Sequence, residues 1–244
     1  DSSLFYLKKS VFKQKDLLLN TRRKFLLAQL YQELSIQDTA YSIYSEIIDL
    51  HRKIPRDFYI NSYIKRTMVS DSIDNSITEL KLLTENFENN NYLDIIFHQI
   101  AMLNLKKGEL LDDDKSGFTI TDSTAINFFN KSLRSDSEEE FLIAKNYNEL
   151  AELNFRKKNY LEAGQYYDST LTQLNNKSRE FRKIRRKREN LNDLIYYEKI
   201  SSSLDSIINL IEMPEKKREA YFNNYIKKIK EAQKKEKKKS KNFG

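Results

Sequence analysis

The chain has very few of the residues that make tight turns, with only four Gly and two Pro among 244 residues. Antiparallel sheets need Gly, Asn-Gly or Pro at most of their corners, so this scarcity excludes an all-β fold. The four glycines are also isolated from one another, which excludes the glycine-rich phosphate loops of nucleotide-binding folds. Apolar residues are instead spread evenly along the chain. That profile predicts an all-α fold in which helix pairs stack and each pair contacts its neighbours.

A pattern of small and aromatic residues recurs along the first two thirds of the chain. In 144–174, Ala151 and Ala163 stand twelve residues apart, and the spacing between Ala28 and Ala40 is the same. Small residues at these places let the two helices of a unit cross closely. The large residues that accompany them are Leu27, Tyr31 and Tyr44 in one unit and Tyr147, Leu150 and Tyr167 in the other.

Two further units are less regular. Ala101 and Ala125 are 24 residues apart, which predicts an insertion near 109–121 between the helices of that unit. Residues 56–87 carry apolar residues at helical spacing without the small residues, and predict a degenerate helix pair. The pattern, of about 34 residues per unit, resembles the tetratricopeptide repeat. This resemblance implies an α-solenoid, a superhelix of antiparallel helix pairs, over 1–176.

The remainder of the chain departs from the repeat and is basic. Residues 177–189 carry eight basic and two acidic residues, and 214–244 carry twelve basic and four acidic residues. Apolar residues at helical spacing predict non-repeat helices over 177–233, with a long or broken helix pair up to 211. The Lys-rich segment 234–244 is predicted to be disordered.

The sequence offers little for catalysis or metal binding. The chain has no Cys and two His, His51 and His98, and no nucleophile with a base beside it can be assembled, so we expect neither an enzyme nor a cofactor. Residues 112–117 begin like a calcium loop, but Ser123 occupies the place of the bidentate Glu. We therefore expect an exposed loop and no metal site. The basic cluster 177–188 lacks the aromatic and Gly residues of RNA-binding motifs, and we interpret it as a solvated helix face.

Tetratricopeptide superhelices commonly hold an extended peptide against the first helices of their units. The resemblance thereby implies a partner-binding groove formed by Arg22, Phe25, Gln29, His98, Met102, Lys145, Asn148 and Glu152. The Lys and Asn clamp that chaperone-tail-binding members use is absent, since Phe25 and Gln29, then Asn148 and Glu152, occupy its first two positions. A second partner-binding surface is predicted on the last helix, where one stripe carries Phe222, Tyr225, Ile226 and Ile229 among lysines. This helix could also cap the solenoid or lie on an anionic membrane.

Three segments, RRKFLLAQLY (22–31), ENLNDLIYYEKI (189–200) and MPEKKREAYFNNYIKKIKE (213–231), together resemble one family. It is the SprE/PorW family of Bacteroidota tetratricopeptide lipoproteins, which is associated with type IX secretion and gliding motility. The resemblance implies a non-enzymatic scaffold that is periplasmic and associated with the outer membrane. Its partners would be other proteins of that machinery, with no small-molecule substrate, and any membrane attachment would come from an anchor outside this segment.

Two alternatives remain open at this stage. The chain could be a general peptide-binding adaptor without a link to secretion, or a nucleic-acid-associated repeat protein that uses its basic C-terminal third. The nucleic-acid alternative predicts a steep dependence of binding on salt. Without the family resemblance, a cytoplasmic location would be expected.

Overall fold

We analysed a computed structural model, which describes residues 2–111 and 119–241, with side chains over 4–110 and 119–231. Over these residues the protein is all-helical and contains no strand. Two short 3-10 helices, His51–Lys53 and Phe87–Tyr92, occur between α-helices. The α-helices are α1 (Ser2–Lys13), α2 (Leu17–Glu33), α3 (Gln37–Ile48), α4 (Arg56–Met68), α5 (Ile73–Glu85), α6 (Leu93–Leu111), α7 (Ile120–Leu133), α8 (Glu140–Arg156), α9 (Tyr160–Gln173), α10 (Arg179–Asn190), α11 (Asn192–Glu212) and α12 (Glu215–Lys241).

The helices pack as neighbouring pairs, most extensively α2 with α3, α6 with α7, and α8 with α9. The small residues that the sequence places at the helix crossings have no exposed surface. They are Ala28, Ala40, Ala101, Ala125, Ala151 and Ala163. Because they are fully buried between packed helices, a larger side chain at any of them would overpack the interior.

The turns of two of these pairs have the same backbone geometry although they lie far apart in the sequence. Ser35, after α2, and Lys158, after α8, both adopt positive φ angles, of 59° and 63°. In both turns the next backbone N–H bonds back to a carbonyl five residues earlier, from Ile36 to Tyr31 and from Asn159 to Asn154, each at 2.9 Å. This is the helix-ending arrangement that glycine usually completes. The chain therefore makes equivalent reversals without glycine.

A continuous apolar core runs through α3–α8, with fully buried Ile47, Ile60, Ile100, Phe129 and Leu150 among its large side chains. A smaller cluster joins α2 and α3, and Leu4, Leu7 and Val11 of α1 pack against it. The first helices of successive pairs also meet, because α2 contacts α4 and α4 contacts α6. Side chains from these helices therefore form a shared surface.

The described helices reach from both sides into the insertion predicted at 109–121. Helix α6 continues to Leu111, and Thr119 already caps α7, so both ends of the predicted insertion belong to helices. Thr119 and Asp122 form a reciprocal capping box, with the Thr119 N–H donating to Asp122 Oδ2 at 2.8 Å. The calcium-like segment 112–117 lies outside the described residues.

The chain divides into two compact units, 1–189 and 190–244. Helix α10 belongs to the first unit, so the division falls one helix later than the end of the predicted repeat array at 176. Between 177 and 211 the chain forms α10 and α11, which are separated at Leu191. Helix α12 extends to Lys241, whereas the sequence predicts disorder from residue 234.

Candidate protein-binding surface

Three of the predicted groove residues, His98, Met102 and Lys145, line one cavity of about 420 Å³. Helix α6 contributes a stripe at positions 98, 99, 102, 103 and 106, which lie on one helical face. Helix α8 adds Lys145 and Glu149, and the end of α4 adds two residues that the sequence analysis did not identify, Thr67 and Met68. Because α4 lacks the small-residue signature, its register could not be aligned with the other units.

A chain of hydrogen bonds connects the helices on one side of this cavity. His98 Nδ1 lies 2.8 Å from Asn146 Oδ1, and Asn146 Nδ2 donates to Ser132 Oγ at 2.8 Å. Ser132 Oγ donates in turn to the Asp94 carbonyl at 2.7 Å, so the chain connects α6, α7 and α8. Since Asn146 presents its oxygen, His98 Nδ1 must carry the proton.

The surroundings of this cavity shift the pKa values of two side chains, His98 and Glu149. Burial lowers the pKa of His98 from its ordinary value of 6.5, and the Lys145 charge adds to this effect, while the hydrogen bond with Asn146 and the Asp94 carboxylate oppose it. Burial raises the pKa of Glu149, and the Glu152 carboxylate raises it further. The net effect at His98 favours the neutral imidazole at pH 7.

A second cavity, of about 220 Å³, adjoins the first at Lys145, which lines both. The predicted groove residue Asn148 lies here with Phe141, and Lys145 Nζ stands 4.4 Å from the centre of the Phe141 ring. The opposite wall is formed by α10 through Glu180, Lys183, Ile184 and Lys187. Part of the basic cluster 177–188, interpreted from the sequence as a solvated face, therefore lines a cavity.

The other predicted groove residues have different surroundings. Phe25 is half-buried, and its ring packs edge-on against Tyr44 and Phe58, at centroid distances of 5.7 and 6.0 Å. Arg22 is exposed and Gln29 is half-buried.

Glu152 accepts a hydrogen bond from Tyr167 Oη at 2.8 Å and pairs with Lys187. It lines a third, more polar cavity together with Asp122 and Arg156, which form an ion pair at 3.0 Å. Glu152 thus holds neighbouring helices together.

The predicted binding residues of α12 share an exposed face. Phe222, Tyr225, Ile226 and Ile229 are between 40 and 55% exposed, and Tyr221 beside them is 47% exposed. Lysines occupy much of the remaining helix surface. In the described part of the second unit, roughly half of the surface of each of these side chains stays accessible.

The described residues include no group of three or more His, Cys, Asp or Glu side chains placed to hold a metal ion. No helix in the same part of the chain is both long and apolar enough to cross a membrane. No family model matches the chain, and no curated protein sequence matches it either.

Proposed function

We propose that the protein is a non-enzymatic scaffold built from tetratricopeptide-like helix pairs, and that it binds other proteins through the first helices of those pairs. The observation that carries the proposal is the surface around Lys145, where residues of α4, α6, α8 and α10 line two adjoining cavities. We call this surface the first-helix face and define it by Met68, Met102, Lys106, Lys145, Asn148 and Lys183.

Several features support a repeat scaffold. The turns at Ser35 and Lys158 are equivalent, and the alanines of three units are fully buried at the helix crossings. Stacked pairs of this kind generate extended surfaces, because each pair contributes a similar stripe of side chains. The apolar stripe of α12 offers a second contact surface.

By its resemblance to the SprE/PorW family, the scaffold would belong to the type IX secretion and gliding machinery and would act in the periplasm at the outer membrane. A partner bound at the first-helix face would be another protein of that assembly. The proposal gives the chain a role in holding components together and assigns it no chemical step.

Site-specific photo-crosslinking in native cells tests this proposal. A photoreactive amino acid at Met102 should give discrete adducts with envelope proteins of the secretion machinery. The same group at Leu82, which is 60% exposed on α5 and lines neither cavity, is the matched control. Equal labelling from both positions would contradict a binding role for this face, and adducts with cytoplasmic proteins only would contradict the secretion assignment.

A further inference from the structure

The first-helix face carries three lysines that form no ion pair with any described acidic residue. Lys106, Lys145 and Lys183 form no ion pair within the described part of the chain, although Lys187 beside them pairs with Glu152. Two carboxylates, Glu149 and Glu180, also line the cavities, and the pKa of Glu149 is raised by burial. Lysines outnumber acidic residues along the lining, so the face favours an anionic ligand.

Apolar side chains lie between these lysines. Met68, Met102 and Leu103 line the larger cavity, and Ile184 and Leu174 line the smaller one. A purely polar anion such as a nucleic-acid backbone would leave these surfaces uncovered. Lysines with apolar side chains between them instead fit a peptide in which carboxylate and apolar side chains alternate.

The layout of the helices limits the shape of such a ligand. The lysines lie on α6, α8 and α10, whose residues line two cavities that adjoin at Lys145. A ligand that reaches all three lysines therefore runs across these helices, and an extended peptide, which advances about 3.3 Å per residue, does so with few residues. Its alternate side chains point in opposite directions, which lets one set enter the cavities while the other stays near the surface.

We infer that the first-helix face binds an extended acidic segment of another protein, with apolar side chains in the two cavities and carboxylates beside Lys106, Lys145 and Lys183. This inference rests on the proposed function and specifies the chemistry of the partner.

Fluorescence anisotropy with labelled peptides and the full chain tests the inference. The probe is a ten-residue peptide that alternates Asp with Leu, and its control replaces every Asp with Asn. We expect the Asp peptide to bind about tenfold more tightly in low salt, with the difference shrinking as salt screens the charges. Equal affinities for the two peptides would overturn the inference.

Two protein variants assign the binding to this face. The double variant Lys145→Gln, Lys183→Gln should weaken binding of the Asp peptide about tenfold, whereas Lys53→Gln, at an exposed position outside both cavities, should leave it unchanged. Thermal unfolding of the variants checks that the fold is intact. Undiminished binding by the double variant would overturn the assignment.

A ten-residue oligothymidine in the same assay separates acidic peptide from nucleic acid. Tighter binding of the oligonucleotide than of the Asp peptide would overturn the inference in favour of nucleic acid. If crosslinks from Met102 persist while the Asp peptide fails to bind, the proposed scaffold function stands and only the acidic partner is wrong.

Discussion

Lys158 occupies a backbone conformation that residues with a Cβ rarely adopt, with φ of 63° directly after α8. Glycine takes this conformation without steric cost, whereas it costs other residues about 1–2 kcal/mol, partly offset by the greater freedom of glycine in the unfolded chain. We expect Lys158→Gly to stabilise the protein by about 0.5–1 kcal/mol. Urea unfolding followed by circular dichroism measures the change.

Lys157 provides the matched control for this substitution. It has a right-handed φ of −71°, so Lys157→Gly should lower stability. If Lys158→Gly also lowered stability, Lys158 would not have a positive φ angle in the folded protein.

His98 should make the stability of the protein depend on pH. Its pKa is lowered in the folded state, so between 6.5 and the folded value the unfolded chain binds more protons. Stability should therefore fall as the pH drops below about 6.5, because the folded state resists protonation of a buried imidazole. The charged groups that act on this ring are Lys145 and Asp94.

The variant His98→Asn keeps a donor that can reach Asn146 and removes the titrating group. Urea unfolding between pH 5 and 8 should show a flatter stability profile for this variant than for the unmodified protein. Identical pH dependence in both proteins would show that other groups cause it.

A larger side chain at Ala151 tests how closely α8 and α9 pack. Ala151 has no exposed surface, so Ala151→Leu should overpack the crossing and destabilise the protein by about 1–3 kcal/mol. Ala220 is exposed on α12, and Ala220→Leu should have little effect on thermal unfolding. An unchanged midpoint for Ala151→Leu would mean that the crossing has room for a larger side chain.

At the scale of single elements, α12 carries an apolar stripe that is exposed in the described structure. A docking helix leaves such a stripe free for a partner. We expect the double variant Phe222→Ser, Ile226→Ser to leave the thermal unfolding of the isolated protein unchanged and to abolish its association with the cell envelope.

The control for α12 is Asn223→Ser, which changes a polar residue of the same helix. Loss of thermal stability in the double variant alone would favour the capping role. Retained association together with unchanged stability would contradict both the docking and the capping interpretations.

At the scale of the whole molecule, the sequence predicts helices and their pairing best where small residues mark the crossings. Ala28 with Ala40 and Ala151 with Ala163 identify α2, α3, α8 and α9, because close helix packing tolerates few alternatives to alanine. The α4–α5 pair has no such marker, so the contribution of Thr67 and Met68 to the larger cavity could not be predicted.

Other features depend on contacts that periodicity does not contain. The stripe of α10 that lines the smaller cavity appears in the sequence only as a basic cluster, since its neighbours come from α8 and α9. Phe25 fits the groove pattern, yet its ring packs against Tyr44 and Phe58. A pattern assigns a residue to a helix face, but the neighbouring helices decide whether that face is open.

Helix α10 belongs to the first compact unit, although the repeat array predicted from the sequence ends before it, at residue 176. Ile184 is buried, Lys187 pairs with Glu152, and Arg188 Nε lies 2.9 Å from Asp168 Oδ1. These contacts tie α10 to α8 and α9 within the first unit. We therefore expect a fragment of residues 1–189 to unfold cooperatively and to be more stable than a fragment of residues 1–176.

The difference between the fragments should be about 1.5–3 kcal/mol, which is the value of burying one large aliphatic side chain, because exposed ion pairs add little. Urea unfolding of both fragments measures it. The variant Ile184→Ser in the longer fragment should lose most of the difference, whereas Arg186→Ser, at an exposed position on the same helix, should retain it. If the two fragments were equally stable, α10 would not belong to the first unit, and the smaller cavity would lose its α10 wall.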